Sequence, residues 1–216
     1  MNPLEVVNSS ALLPIFEAQQ QAFAQNRNPA WETRIKHLKQ LKLMLQSNIP
    51  AFEKALSDDF GHRSSDETRV AEIAGTVANI EYTIKHLAKW MAPEGRSTSI
   101  WFKPADNKLI PQPLGVAAVM VPWNYPVNLS IVPLASALAA GNRCMIKMSE
   151  LTPSTEKLLR KLLAEYFAED HVSIIGGDSS VAAEFSSLPF DHILFTGSTN
   201  VGKKVMAAAA RNLTPV

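Results

Sequence analysis

The sequence predicts an α/β protein: a parallel sheet with helices on both faces, preceded by a helical segment and a β-hairpin. Three observations predict it. Apolar residues recur at three- and four-residue intervals over 9–91; from Gly115 onward short apolar runs alternate with helical segments four times; and a Pro-containing stretch between Pro93 and Pro113 separates the two periods. A chain of 216 residues can bury a sizeable core but is short for separate cofactor and substrate domains, so one or two structural units are expected.

The first segment, 1–97, is expected to hold three or four helices. The strongest follows Ser64-Ser65-Asp66-Glu67, where Ser64 and Glu67 have capping-box spacing. Val70, Ile73, Ala74, Val77, Ile80, Ile84, Leu87, Ala88 and Met91 then fall on one helical face. A helix so apolar on one side is unstable alone in water, so this segment is expected to pack on the second half as support. Residues 98–113 read as a projecting β-hairpin, with Ser99–Lys103 and Lys108–Gln112 as strands flanking the turn Pro104–Asn107; an extended Pro-rich linker is the alternative.

Residues 114–216 read as four βα units. The strands are Val116–Val121, Arg143–Met148, Val172–Ile175 and Ile193–Phe195, and the helices that follow them are Leu129–Ala140, Ser154–Phe167, Val181–Leu188 and Val201–Ala210. Near-continuous apolar strands joined by helices imply a parallel sheet covered on both faces, a Rossmann-like architecture whose ligands bind beyond the carboxyl ends of the strands.

Lys and Arg number 21 against 20 Asp and Glu, without clustering of either sign, which points away from nucleic acid and anionic membranes. The lone Cys144 rules out an intrachain disulfide, and no Cys/His cluster has zinc spacing, so no metal is expected. Met1-Asn2-Pro3-Leu4-Glu5 lacks the basic and apolar regions of an export signal. The most apolar stretch, Val127–Ala140, is broken by Asn128, Ser130, Pro133 and Ser136. A soluble, cytoplasmic protein without a membrane anchor is the expectation.

Each strand end carries a distinctive set of residues. After the first strand, Pro122-Trp123-Asn124-Tyr125-Pro126 is a stiff loop in which Asn124 can offer an amide donor suited to an oxyanion, or can satisfy its own backbone in a rigid turn. The second strand ends in Lys147-Met148-Ser149-Glu150, where a carboxylate can accept from both ribose hydroxyls and an ammonium can reach a ribose oxygen or phosphate; a solvated ion pair is the alternative. The third runs into Gly176-Gly177-Asp178, which serves either close approach of a flat ligand or a tight turn. The fourth runs through Phe195-Thr196-Gly197-Ser198-Thr199-Asn200-Val201-Gly202-Lys203 into a helix start, where free N–H groups can seat phosphate oxygens. Gly197 and Gly202 match the dinucleotide fingerprint only loosely.

Taken together and in this order, Pro122–Pro126, Lys147–Glu150 and Phe195–Lys203 resemble the aldehyde dehydrogenase superfamily over about Leu114 to Lys203. Asn142–Glu150, with Met148 where proline is usual, and Asp59-Phe-Gly-His-Arg63 resemble its coniferyl aldehyde dehydrogenase branch. The resemblance implies that a cysteine thiolate attacks an aldehyde, hydride passes to NAD(P)+ and water hydrolyses the thioester. It implies Asn124 as oxyanion donor, Lys147 and Glu150 on the adenosine ribose, Pro122 and Trp123 along the cofactor channel, and Gly197, Ser198 and Val201 around the pyrophosphate. Val121, Ser149, Gly177 and Thr196 complete the expected cofactor-binding set. Glu150 favours NAD over NADP, and a small-molecule aldehyde, coniferaldehyde for example, is the expected substrate of a homodimeric parent protein.

In that family the general-base glutamate and the nucleophilic cysteine lie beyond the stretch matched here. The chain is therefore expected to be a truncated aldehyde dehydrogenase fold, inactive alone. Cys144, in an apolar strand, is expected to be a buried core residue rather than a substitute nucleophile. The sequence leaves three other readings open. One is a nucleotide-binding fragment or remnant, the second an acylating or acyl-phosphate reductase of the same superfamily, and the third an oligomerisation element that binds no cofactor.

Overall fold

The computed structural model of the chain describes residues 12–216. Met1–Glu5, read above as lacking an export signal, and Ser9, the start of the helical pattern, lie outside the described residues. Helices α1 (Leu12–Gln25), α2 (Trp31–Ser47) and α3 (Ile49–Phe60) are followed by a continuous helical run. That run consists of α4 (Ser65–Glu67), a π-helical stretch (Thr68–Ala74) and α5 (Gly75–Met91). A two-stranded ribbon, β1 (Glu94–Arg96) and β2 (Asn107–Leu109), comes next. The chain then alternates through β3 (Val116–Met120), α6 (Asn128–Ala140), β4 (Arg143–Lys147), α7 (Pro153–Tyr166), β5 (Val172–Ile175), α8 (Ser179–Ser187), β6 (His192–Phe195) and α9 (Thr199–Ala209).

The four βα units stand where the apolar runs place them. Their strands form one parallel sheet in the order β5-β4-β3-β6. Because side chains alternate across a strand, each strand feeds two cores. Ala117, Val119, Cys144, Ile146, Val172 and Ile174 face α2, α3, α5, α6 and α7. Val116, Ala118, Met120, Met145, Ile175 and Ile193 face α8, α9 and also α1, through Leu12 and Phe16. The amino-terminal helices are thus divided between the two faces. α1 is tied down further by the buried Gln19 amide, which donates to the carbonyls of Cys144 (3.2 Å) and Glu169 (3.1 Å) and to Ser173 Oγ (3.2 Å). Where β3 begins, Gly115 has φ +150°, and a Cβ there would lie 2.0 Å from the Asp191 carboxylate that accepts the Val116 N–H. Only glycine fits that junction.

Two expectations need correction. The hairpin strands are Glu94–Arg96 and Asn107–Leu109, not Ser99–Lys103 and Lys108–Gln112, so the ribbon begins before residue 98 and Asn107 lies in a strand rather than in the turn: Glu94 pairs with Leu109 and Arg96 with Asn107, while Ile100–Phe102 form a 3-10 turn in the connecting loop. Pro104 has no N–H to give a ladder, and the turn bonds Phe102 N–H to Ser99 O and Lys103 N–H to Ile100 O instead. The second correction concerns the buried face of the long helical run. Ile73, Ile80 and Leu87 are buried and Val77, Ile84 and Met91 pack against the same core as expected, but Val70, Ala74 and Ala88 are exposed, and Thr68, Glu72, Thr76 and Thr83 are turned inward beside them. In the π-helical stretch the phase changes, so that Thr68 and Glu72 face inward and Val70 and Ala74 outward, while Ile73 keeps its place in the core. The capping box does not form: Ser64 Oγ caps the helix through the Asp66 N–H (3.2 Å) rather than the Glu67 N–H, and the Glu67 side chain turns to Arg63 instead of returning to the Ser64 backbone.

No helix among the described residues is long and apolar enough to cross a membrane.

Candidate nucleotide crevice

Met120, Lys147, Ile175 and Phe195 sit in register across the sheet. Each ladder continues one residue further: Val121 N–H bonds Lys147 O (2.9 Å), Met148 N–H bonds Ile175 O (2.9 Å) and Thr196 N–H bonds Met120 O (3.2 Å). The four loops singled out in the sequence therefore leave one edge together. After β3 the chain winds to β4 and β5 on one side, then returns to place β6 on the other. The switch between β3 and β6 is where an open α/β sheet parts its loops and admits a ligand. Pro122–Tyr125 and Thr196–Val201 flank that point.

On the β3 side, Trp123 is half exposed and its ring lies 6.2 Å from that of Phe60. The Asn124 carboxamide is exposed and makes no hydrogen bond among the described residues, so the alternative of an Asn satisfying its own backbone is not what the loop adopts. Its carbonyl is held instead, accepting from Arg63 Nη1 at 2.9 Å. Val121 differs from expectation: its side chain is buried in the core, leaving only its backbone at the crevice edge.

On the β4 side, Lys147 is 3% exposed, and its ammonium donates to Met148 O (2.6 Å) and Gly177 O (2.7 Å), which leaves one proton for a further acceptor. Burial pulls its pKa down, opposed by the charges of Glu150, Glu156 and Asp178. Lys147 is therefore a strut between the β4 and β5 loops as well as a candidate ligand contact. The Glu150 carboxylate is exposed and has no ion pair or hydrogen bond among the described residues, so the solvated Lys–Glu bridge is not formed. Ser149 Oγ accepts the Leu151 N–H at 3.3 Å, shaping the turn beneath Glu150.

Gly177 has φ +100°, and a Cβ there would meet Val181 at 2.7 Å. The demand for glycine thus comes from the turn itself and from the chain's own Val181. Asp178 caps α8, with Oδ1 accepting from Ser180 N (2.9 Å), Val181 N (3.3 Å) and Ser180 Oγ (2.6 Å); these bonds hold its carboxyl below the usual range. On the β6 side, Ser198 caps α9 by accepting the Val201 N–H at 3.4 Å. Thr196 is partly buried at the strand end. Gly197 is exposed beside the Phe195 ring, and Val201 stands exposed on the first turn of α9.

The residues that hold the Asn124 loop were not foreseen. Arg63 is almost fully buried, 4.5 Å above the Phe60 ring and 4.7 Å from the Tyr125 ring. It pairs with Glu67 (3.0 Å) and Glu72 (3.3 Å). Glu72 is fully buried in the π-helical stretch, and its other oxygen accepts the Asn128 N–H at 2.7 Å, at the start of α6. Burial pushes the Glu72 carboxyl up to about 7, opposed by that N–H and by the Arg63 charge. A sequence signal existed in the four-residue spacing of Thr68, Glu72 and Thr76 within an apolar helix. Asp59 of the same Asp-Phe-Gly-His-Arg motif accepts from Ser154 N, Thr155 N and Thr155 Oγ1 at 2.7–2.8 Å and so caps α7.

Cys144 is fully buried in β4, and burial pushes its thiol up to about 12, so it cannot serve as a thiolate nucleophile. A cavity of about 400 Å³ lies away from the crevice, between α5, α6 and Pro111–Gln112, and has no part in the strand-end geometry.

A parallel sheet covered by helices on both faces, with its loops parting at a switch point, defines a Rossmann-like α/β protein. Residues 7–216 match the model of the aldehyde dehydrogenase family, and the chain belongs to that family. It is 50% identical over 202 residues to a probable coniferyl aldehyde dehydrogenase of Pseudomonas aeruginosa, covering 94% of this chain and 42% of the relative. It is 47% identical to a coniferyl aldehyde dehydrogenase of Pseudomonas sp. strain HR199, covering 86% of this chain and 38% of that protein. Among solved structures, the substrate-bound state of Staphylococcus aureus AldH superposes with a TM-score of 0.91 at 32% identity, over 95% of this chain and 44% of that one. A betaine aldehyde dehydrogenase of Staphylococcus aureus in complex with NAD+ gives a TM-score of 0.85 at 25% identity, over 96% and 41%. The chain thus spans less than half the length of these relatives.

Proposed function

We propose that the protein bearing this chain oxidises an aromatic aldehyde of the coniferaldehyde type with NAD+ as hydride acceptor, and that these residues supply the nucleotide crevice and one polar group of the reaction site. The reading rests above all on the gathering of Pro122–Pro126, Lys147–Glu150 and Thr196–Val201 at the β3/β6 switch point in a chain of this family. The free residues there suit the cofactor: an unpaired Glu150 carboxylate for ribose hydroxyls, one remaining Lys147 proton, the start of α9 for the pyrophosphate and the exposed Trp123 face. Pro122, Ser149, Gly177, Thr196, Gly197, Ser198 and Val201 line the same loops. Glu150 disfavours a 2′-phosphate by charge, which favours NAD+ over NADP+.

When bound, NAD+ supplies the electron sink for the aldehyde hydrogen. This chain's own contribution to the reaction is Asn124. Its carboxamide, on a loop fixed by two prolines and by Arg63, is suited to donate to the aldehyde oxygen as negative charge develops there. Cys144 takes no part. Cys144 being enclosed, the thiolate and general base of the implied mechanism are proposed to be absent from this chain, and the chain alone is proposed to be catalytically silent. A homodimer is proposed for the whole protein. The exposed Ile100-Trp101-Phe102 at the tip of the ribbon supports it, Trp101 being 89% exposed.

The test is NADH formation by the native gene product from coniferaldehyde, with an Asn124→Ala variant beside it. Removing one oxyanion donor is expected to lower kcat by about 10²–10³-fold with NAD+ affinity retained. Turnover that requires coenzyme A, or an Asn124→Ala variant as fast as the wild type, contradicts the reading.

A further inference from the structure

We propose that Arg63 and Glu72 are positioning residues for the reaction, acting together as a buried clamp that sets Asn124 in the crevice. The inference rests on the reading of Asn124 as a donor to the aldehyde oxygen.

The Pro122–Pro126 loop belongs to the βα units, yet the groups that fix it come from the amino-terminal helices. Arg63 holds the loop by its middle, through the Asn124 carbonyl at 2.9 Å and the Tyr125 ring at 4.7 Å. Glu72 holds the place where the loop enters α6, through the Asn128 N–H at 2.7 Å. The Asn128 amide in turn donates to Thr76 Oγ1 at 2.9 Å, one helical turn beyond Glu72. The two charged groups contact each other at 3.3 Å, and the second Arg63 nitrogen is engaged by Glu67, which also takes the Tyr125 hydroxyl at 3.4 Å. Every loop residue from Asn124 to Asn128 that offers a polar atom to the helices is met by this one cluster or by the first turn of α6.

A buried ion pair is a poor device for stability, since desolvation offsets most of its attraction, but it fixes geometry because each partner must meet its hydrogen bonds in one arrangement. Arginine suits this position for its shape. Its planar fork reaches Glu67, Glu72 and the Asn124 carbonyl while its faces pack against Phe60 and Tyr125, which a lysine ammonium cannot do. The Asn124 carboxamide is left free among the described residues while its backbone is held, as a group reserved for a ligand requires.

The test compares the native gene product with the neutral double variant Arg63→Met/Glu72→Gln, in which the introduced carboxamide can still accept the Asn128 N–H and no uncompensated buried charge remains. A second variant, Arg63→Lys, keeps the charge without the fork. Two readouts are taken on each: hydrogen–deuterium exchange of the 122–128 segment, and kcat and KM for NAD+ with coniferaldehyde. Faster exchange confined to 122–128 and a kcat roughly ten- to a hundredfold lower are expected, with KM for NAD+ within about twofold, and Arg63→Lys should not restore kcat. Unchanged exchange overturns the clamp whatever the activity. Faster exchange with full kcat overturns its role in positioning, as does full rescue by Arg63→Lys. A wild-type protein that oxidises no aldehyde refutes the proposed function, and the exchange arm still decides whether the clamp holds the loop.

Discussion

Cys144 is fully enclosed in β4, and burial pushes its thiol up to about 12. Native protein at pH 7.5 should leave Cys144 unmodified by iodoacetamide over hours, and urea should make it react at once; rapid native labelling would refute the burial. Gly177 was legible only as a choice between ligand approach and a tight turn. The φ of +100° and the 2.7 Å approach to Val181 favour the turn, so Gly177→Ala should lower stability by about 1–3 kcal/mol in urea titration. An unchanged midpoint would return the glycine to the ligand. Lys147 was legible by type but not by direction: nothing in the local sequence indicated that its ammonium would strut the Gly177 carbonyl, thirty positions away.

The strands and helices of 114–216 were legible because each buried strand is a short, continuous apolar run and three of the four helices start with a local signal, Pro153 in α7 and the caps Asp178 and Ser198 in α8 and α9; α6 has no such cap, and its first N–H is held by the distant Glu72. The phase of 65–91 was legible at Ile73, Ile80 and Leu87 but not at Val70 and Ala74. There the chain is π-helical and turns Glu72 inward to meet Arg63 and Asn128, contacts that no local period indicates. The hairpin register failed for a related reason: apolar Ile100-Trp101-Phe102 invites a strand, but those residues pair with nothing and Glu94–Arg96 take the ladder. At this scale a pH test separates two buried elements. The Glu72 carboxyl is raised, so its favourable contribution is full below about pH 4.5 and falls as pH rises toward 7. His171 is pulled down to about 3, first by burial and then by the charges of His37 and Arg143, and His37 is lowered as well. Their contribution is full above about pH 6.5 and is lost as pH falls below it. Between pH 4.5 and 6.5 the slopes oppose each other. Glu72→Gln should remove one of them, so that stability rises with pH through that window by up to about 1.4 kcal/mol per unit for each proton. Urea unfolding at several pH values checks this, and a variant profile parallel to the wild type would contradict it.

At the scale of the whole molecule, the amino-terminal helices do more than cover the sheet. α1 closes one face, α2, α3 and α5 close the other, and Asp59, Arg63 and Glu72 reach across to cap α7 and hold the Asn124 loop. Family membership was legible from three loops in order, whereas this dependence of the crevice on helices some sixty positions earlier was not, because the four-residue spacing of Thr68, Glu72 and Thr76 marks an inward polar stripe without naming the distant loop that it meets. The ribbon bears on assembly: Trp101→Lys should shift the proposed dimer toward monomer in sedimentation velocity, and an unaltered distribution would remove Trp101 from any interface. Calorimetric titration of NAD+ into the wild-type protein and Glu150→Ala decides whether the β3/β6 edge is an NAD+ site. Saturable one-site binding is expected, weakened about 10–100-fold by the substitution, as the loss of charge-assisted bonds to ribose would give. No saturable heat in the wild type, or equal affinity in both proteins, would contradict an NAD+ site there.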